Sequence, residues 1–256
     1  MSAQSFPPPI DLAIIGGTGV YAFPGLRNTQ RHEVATRWGQ PSSAIVTGEA
    51  AGKRIAFLAR HGERHTIAPH RINYRANIDA LHELGVRRIV GVNAVGGIRH
   101  DIGPRVLAIP DQLIDYTAGR ISSFCDADGE PVLHIEFGEP YSDALRRGLL
   151  DAAKRAGVAV VAGGCYGATQ GPRLETRAEI ARLRRDGCDL VGMTGMPEAA
   201  LARERGMDYA CIAVVANWAA GCGPDPDAPI SLDEIHAHLA AASGQVPVIV
   251  RELLAG

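Results

Sequence analysis

Residues 11–19 read Asp-Leu-Ala-Ile-Ile-Gly-Gly-Thr-Gly, a short apolar run that stops abruptly in glycines and one hydroxyl. The same layout returns at 54–62 (Arg-Ile-Ala-Phe-Leu-Ala-Arg-His-Gly), at 88–97 (Arg-Ile-Val-Gly-Val-Asn-Ala-Val-Gly-Gly) and at 190–195 (Leu-Val-Gly-Met-Thr-Gly). Runs this short, apolar at successive positions, suit strands buried on both faces, and such strands need helices to cover them. Strands are expected at 11–15, 43–47, 54–59, 88–92, 106–109, 158–165, 190–193 and 209–216. Amphipathic stretches rich in Ala, Leu and Arg predict helices at 74–83, 143–156, 176–185, 197–205 and 231–241. Ser231 with Glu234 forms a capping box that starts the last of these, and Pro247 is expected to kink or end it. The reading is an α/β fold on a largely buried sheet.

No Pro/Gly/Ser-rich linker divides the 256 residues, so a single domain over 1–256 is expected. With 46% hydrophobic and 21% charged residues the chain can bury a sizeable core. A formal net charge of −2 offers no basic field, which argues against nucleic acid or an anionic membrane as partner and for a small molecule. The five cysteines are scattered without a C-x-x-C pair, as in a reducing compartment. Ser-Phe-Pro-Pro-Pro ahead of the first strand lacks the layout of a signal peptide. The longest apolar stretch, 209–222, is interrupted by Asn217 and too short for a bilayer, so the cytoplasm is the expected location.

In open α/β sheets ligands collect beyond the carboxyl ends of strands, so the glycine-bearing tips are expected to converge. Ile-Ile-Gly-Gly-Thr-Gly suits an anion, because glycines let backbone N–H groups approach and Thr18 adds a hydroxyl. It also reads as G-x-G-x-x-A from Gly17 to Ala22, a dinucleotide-binding turn, or as a purely structural turn. Phe23-Pro24-Gly25 stands where a phosphate-binding helix should run, which argues against the dinucleotide. Arg60-His61 offers a fork of donors and an imidazole to an oxyanion; an ordinary ion pair explains Arg60 as well. His61-Gly-Glu-Arg-His65 is not the H-E-x-x-H motif and no Cys or Asp set completes a shell, so no metal is expected. His236 and His238 read as a solvated face, and 221–229 as a loop suited to a lid.

Taken in order, IIGGTGVY, LARHGERHTIAPHRINYRANI, VNAVGGIR, HIEFGEPY, TQGPRLETRAEI and GMTGMPEAALARERGMDYACIAVVANW, spread over residues 11–218, resemble the methylthioadenosine phosphorylase branch of the trimeric purine nucleoside phosphorylase family. RHGERHTIAP and MTGMPEA are the most specific pieces. The resemblance implies a central mixed sheet that forms a distorted barrel flanked by helices, a homotrimer, no metal, and no cofactor beyond inorganic phosphate as co-substrate. It places Thr18, Arg60, His61, Asn93, Ala94 and Thr194 around phosphate and Met193 against the ribose. His134 is expected to reach the 5′ end of a neighbouring subunit's substrate. Family members often carry Thr where Asn93 stands, which leaves open how much that side chain contributes.

The base pocket departs from the adenosine-type pattern. Where those members carry Asp-aromatic-Asp, this chain has Asn217-Trp218-Ala219. Aspartate only accepts, which suits a 6-amino group; asparagine donates as well, which suits a 6-oxo group beside a protonated ring nitrogen. Leu174 stands where an aromatic ring often stacks on the base. Glu175 is expected either to reach a ring N–H or to pair with Arg173 or Arg177. Leu232 and Ile235 are placed near the 5′ group, favouring a thioether, although His236 beside them suits a hydroxyl. The expected reaction is reversible phosphorolysis of a 6-oxopurine nucleoside, S-methyl-5′-thioinosine to hypoxanthine and 5-methylthioribose 1-phosphate, with Asn217 and His61 as the catalytic side chains. Inosine, guanosine and methylthioadenosine are the alternative substrates. A nucleosidase, a nicotinamide-dependent oxidoreductase and a non-catalytic nucleoside binder are the rival readings.

Overall fold

The computed structural model describes residues 9–125 and 132–256; the stretch ahead of Pro9, on which the signal-peptide expectation rests, lies outside them. Strands β1 (Leu12–Gly16), β4 (Lys53–Ala59), β5 (Arg88–Gly97) and β11 (Asp208–Trp218) run parallel at the centre of a mixed sheet. Beyond β4 the sheet continues antiparallel through β3 (Ile45–Ala50) and β2 (Arg27–His32). β6 (Leu107–Ile109) and β8 (Val161–Ala162) extend it past β11.

The sheet forks on β5. Its first half pairs with β1 through Ile89, Val90 and Gly91, while Gly96 and Gly97 pair with the antiparallel β10 (Leu190–Gly192). β9 (Cys165–Ala168) and β7 (Gln112–Asp115) carry that branch outward, and β11 follows the other edge of β5 throughout. Residues 92–95 therefore lie where β1 and β10 part, and a crevice opens there.

Alternation along the strands divides the core between two faces. Leu12, Ile14, Phe57, Val92 and Ile212 pack with α2 (Asp143–Arg155), α5 (Leu232–Ser243) and α6 (Val246–Ala255). Ala13, Ile15, Leu58, Ile89 and Val215 face α1 (Tyr74–Glu83) and α4 (Glu198–Glu204). A smaller cluster joins Ile180 and Leu183 of α3 (Arg177–Arg185) to Val191 and Ala219. Each fully buried aliphatic side chain here contributes about 1.5–3 kcal/mol.

Several features differ from the expectations. Pro247 neither kinks nor ends the last expected helix; it lies in the first turn of α6, where a missing N–H costs nothing. The strand expected at 158–165 is two short ones, parted at Gly163 and Gly164, both with positive φ. His238 is half-buried and not part of a fully solvated face: its Nδ1–H donates to the Ala216 carbonyl at 2.8 Å and ties α5 to β11. Among the described residues no helix is long and apolar enough to cross a membrane.

Candidate active site

A cavity of about 480 Å³ occupies the fork. The tip of β1 gives it Gly17 and Thr18, the loop after β4 gives His61 and His65, and the open stretch of β5 gives Ala94 and Val95. Met193 and Thr194 enter after β10, Asn217 and Ala219 from the end of β11. Leu174 and Glu175 form the wall ahead of α3, and Leu232, Ile235 and Leu239 that of α5. Segments far apart in sequence meet because the parallel strands β1, β4 and β11 deliver their carboxyl ends to one end of the sheet, and the antiparallel β10 runs toward the open stretch of β5 from the opposite direction.

The polar end is built from beneath. Arg60 is fully buried, and its Nε and one terminal nitrogen donate to the two carboxylate oxygens of Glu198, both at 2.7 Å. Its other terminal nitrogen donates to the Val92 carbonyl at 2.8 Å, and the Tyr209 hydroxyl donates to Glu198 at 2.7 Å. Burial opposes the charge of Arg60, but the Glu198 carboxylate outweighs it and holds the pKa above its ordinary value. The guanidinium lies directly under the first loop: a Cβ on Gly17 would come within 2.9 Å of it and 2.5 Å of the Val92 carbonyl, so only glycine fits.

His61 is buried, and its Nδ1 sits 2.8 Å from the Ile67 carbonyl. A carbonyl only accepts, so Nδ1 carries the proton and Nε2 keeps its lone pair. Burial lowers the pKa to about 4 against the raising effect of the Ile67 carbonyl, with Arg60 and His65 lowering it further. The unfolded chain therefore binds the extra proton between pH 6.5 and 4, and stability falls as pH drops through that window. The whole gap is worth about 3 kcal/mol. Urea unfolding at pH 7.5 and 4.5 is expected to show a smaller acid loss in His61→Gln than in the parent; equal losses would count against it.

Asn93 is fully buried behind the cavity wall. Its amide nitrogen donates to the Thr194 hydroxyl oxygen at 2.7 Å, and its carbonyl oxygen faces the Cys211 thiol at 3.4 Å. With that oxygen already accepting, the Thr194 hydroxyl is oriented to donate its own proton away from Asn93, toward the cavity.

At the opposite end Asn217 donates one amide hydrogen to the Trp218 carbonyl at 2.7 Å, which leaves one N–H and the side-chain oxygen for a ligand. Glu175 accepts from the Thr169 hydroxyl at 2.6 Å. Neither neighbouring arginine takes it: Arg173 pairs with Glu179, and Arg177 with Asp227, both ion pairs at the surface. Leu174 and Leu232 stand 38% and 64% exposed at the cavity wall, where a ligand would cover them. Among the described residues no group of three or more His, Cys, Asp or Glu is arranged to hold a metal.

The model of the phosphorylase superfamily matches residues 11–255. The chain belongs to this superfamily. It is 60% identical over 247 residues to a probable S-methyl-5′-thioinosine phosphorylase of Xanthomonas campestris pv. campestris, covering 96% of this chain and 98% of that protein. A 6-oxopurine nucleoside phosphorylase of Pyrococcus furiosus is 46% identical over 215 residues, 82% of this chain and 80% of its own. The solved methylthioadenosine phosphorylase of Schistosoma mansoni in complex with adenine superposes with a TM-score of 0.91 at 30% identity, covering 96% of this chain and 91% of that one.

The cavity gathers Thr18, His61, Ala94, Thr194, Met193, Leu174, Glu175, Asn217, Ala219 and Leu232 from the expected set. Four others are placed elsewhere. Arg60 and Asn93 stand one layer behind the wall, held by Glu198 and Thr194. Trp218 follows Asn217 on β11 and so points to the other side, its ring against Gly103 and Gly223. His134 is exposed, away from the lining of its own chain's cavity. Glu198 and Thr169, which hold Arg60 and Glu175, are not singled out from the sequence. Glu198 lies 138 residues from Arg60, and no local pattern announces the pairing.

Proposed function

We propose that the cavity binds a 6-oxopurine nucleoside and inorganic phosphate and splits the N-glycosidic bond by phosphorolysis, with S-methyl-5′-thioinosine as the preferred substrate. The observation that carries the reading is the pair Asn217 and Glu175 in one cavity, the carboxylate held by Thr169 and not neutralised by an arginine. A 6-oxopurine offers N1–H as a donor and O6 as an acceptor. Glu175 accepts the first, and the free N–H of Asn217 meets the second while its oxygen accepts from N7–H as the base departs. Adenine presents a lone pair at N1, which a carboxylate repels.

As the glycosidic bond stretches, positive charge gathers on the ribose and negative charge on the base. Phosphate held at Thr18, Thr194 and the backbone around Ala94 faces that cation, and Asn217 stabilises the leaving anion. The lone pair on Nε2 of His61 accepts the P–OH of hydrogen phosphate, which turns the unprotonated oxygens toward the sugar. Arg60 supplies positive potential from beneath Gly17 and touches the anion's loop from behind. Leu232, Ile235 and Leu239 offer an apolar wall that suits a 5′-methylthio group better than a hydroxyl. His134, exposed and outside its own cavity, is available to an adjacent subunit, so the reading includes a single-domain chain acting as a cytoplasmic homotrimer.

The test is base release from methylthioinosine, inosine, methylthioadenosine and adenosine, each with and without phosphate. Strictly phosphate-dependent release, fastest with methylthioinosine, is expected. Equal release in phosphate-free buffer would mark a nucleosidase and overturn the reading.

A further inference from the structure

Outside the cavity, one guanidinium ties together the loops that form it. Arg120 follows β7, is half-buried, and does not line the cavity. One terminal nitrogen donates to the carbonyls of Met193 at 2.8 Å and Met196 at 2.6 Å, in the loop that carries Thr194. The other donates to the carbonyls of Thr169 at 3.2 Å and Gln170 at 2.8 Å, in the loop that carries Glu175. Its Nε reaches the side-chain oxygen of Gln170 at 3.1 Å. The first nitrogen also lies 3.1 Å from the Tyr74 hydroxyl, sharing one of its two hydrogens with it, and that hydroxyl donates in turn to the Pro69 carbonyl at the end of the loop beyond His61.

All these acceptors are neutral, and they belong to three separate segments. A surface arginine placed for solubility or a single ion pair has no need of such an arrangement. A planar fork with five donors in fixed directions can bridge two loops at once; an ammonium on a flexible stem cannot. We propose that Arg120 is a positioning residue for the nucleoside, acting through the loops of Thr169–Gln170 and Met193–Met196 to hold Glu175, Met193 and Thr194 in register across the cavity. The proposal rests on the cavity being the nucleoside site. Misplacing reacting groups by about 1 Å costs on the order of 100-fold in rate, so a loosened clasp has a measurable effect although Arg120 touches no substrate.

The experiment compares the full-length parent with Arg120→Lys and Arg120→Ala. For Arg120→Lys, KM for methylthioinosine is expected to rise about tenfold or more at saturating phosphate, with kcat falling less, because the lost register weakens nucleoside binding first. Added guanidinium ion at low millimolar concentration is expected to restore part of the activity of Arg120→Ala, an effect a bulk loss of stability does not produce. Hydrogen exchange without any ligand is expected to quicken at 169–175 and 193–197 while β1 and β11 stay protected. If Arg120→Ala does not fold, Arg120→Lys decides alone. Unchanged exchange at both loops, or an unchanged KM in an active Arg120→Lys, overturns the clasp. An inactive parent overturns the functional reading instead, and the exchange experiment still tests the clasp.

Discussion

Replacing Asn217 by aspartate is expected to lower kcat/KM for methylthioinosine by about two to three orders of magnitude, because a carboxylate placed against O6 leaves two acceptors facing each other. The N7–H contact survives, since aspartate still accepts there. Turnover of methylthioadenosine is expected to rise only partly, for Glu175 remains as a carboxylate against the lone pair at N1. Glu175→Gln added to Asn217→Asp removes that second conflict, because the glutamine amide donates to N1. The ratio of methylthioadenosine to methylthioinosine turnover is therefore expected to climb in two steps, the double variant exceeding either single one. A ratio that stays at the parental value in Asn217→Asp would show that Asn217 does not read the base. Thr169 adds a control: its hydroxyl donates to Glu175, and Thr169→Val should weaken 6-oxopurine binding without favouring adenine.

What could be read from the chain before folding follows from how local each signal is. Tyr74–Glu83 coincides with the expected helix, and Asp143–Arg155 falls one residue short of the expected end, because their caps Asn73 and Ser142 bond to amides three residues on. β5 runs on to Gly97, five residues past the expected end. Asn93 and the two glycines look like a loop, and only pairing with β10 and β11, over a hundred positions away for β11, keeps that segment extended. β2 was invisible for another reason: Arg-Asn-Thr-Gln-Arg-His is polar and exposed, and main-chain pairing to β3 at the sheet edge defines it. Cavity-lining residues near strand ends, such as Thr18, His61 and Thr194, could be named from the pattern of glycines after apolar runs. Their supports could not, since Arg60–Glu198, Asn93–Thr194 and Arg120 with its two loops each join positions that meet only once the sheet has forked.

The resemblance places Arg60 beside phosphate, yet the folded chain gives its guanidinium to a carboxylate with no solvent exposure on either side chain. Two charges taken out of water cost several kcal/mol each, and the pair repays this only through its full set of hydrogen bonds. Here Arg60 has Glu198 and Val92, and Glu198 has Arg60 and Tyr209. Removing one partner strands the other. Glu198→Ala is expected to lose about 3–5 kcal/mol of unfolding free energy, read by urea denaturation at pH 7.5, while Glu198→Gln loses less because the amide oxygen still accepts one Arg60 N–H. Replacing both, as Arg60→Met with Glu198→Leu, removes the charges together and is expected to recover most of that stability. The double variant then separates the two uses of the pair. If Arg60 serves phosphate through its potential beneath Gly17, the restored protein remains folded but needs far more phosphate for half-maximal rate, with nucleoside affinity little changed. A double variant as active as the parent at low phosphate would reduce Arg60 to a packing element and leave the anion to Thr18, His61 and Thr194. A stable but inactive one would set the charge of Arg60 among the requirements of the reaction, although a layer of backbone stands between it and the cavity.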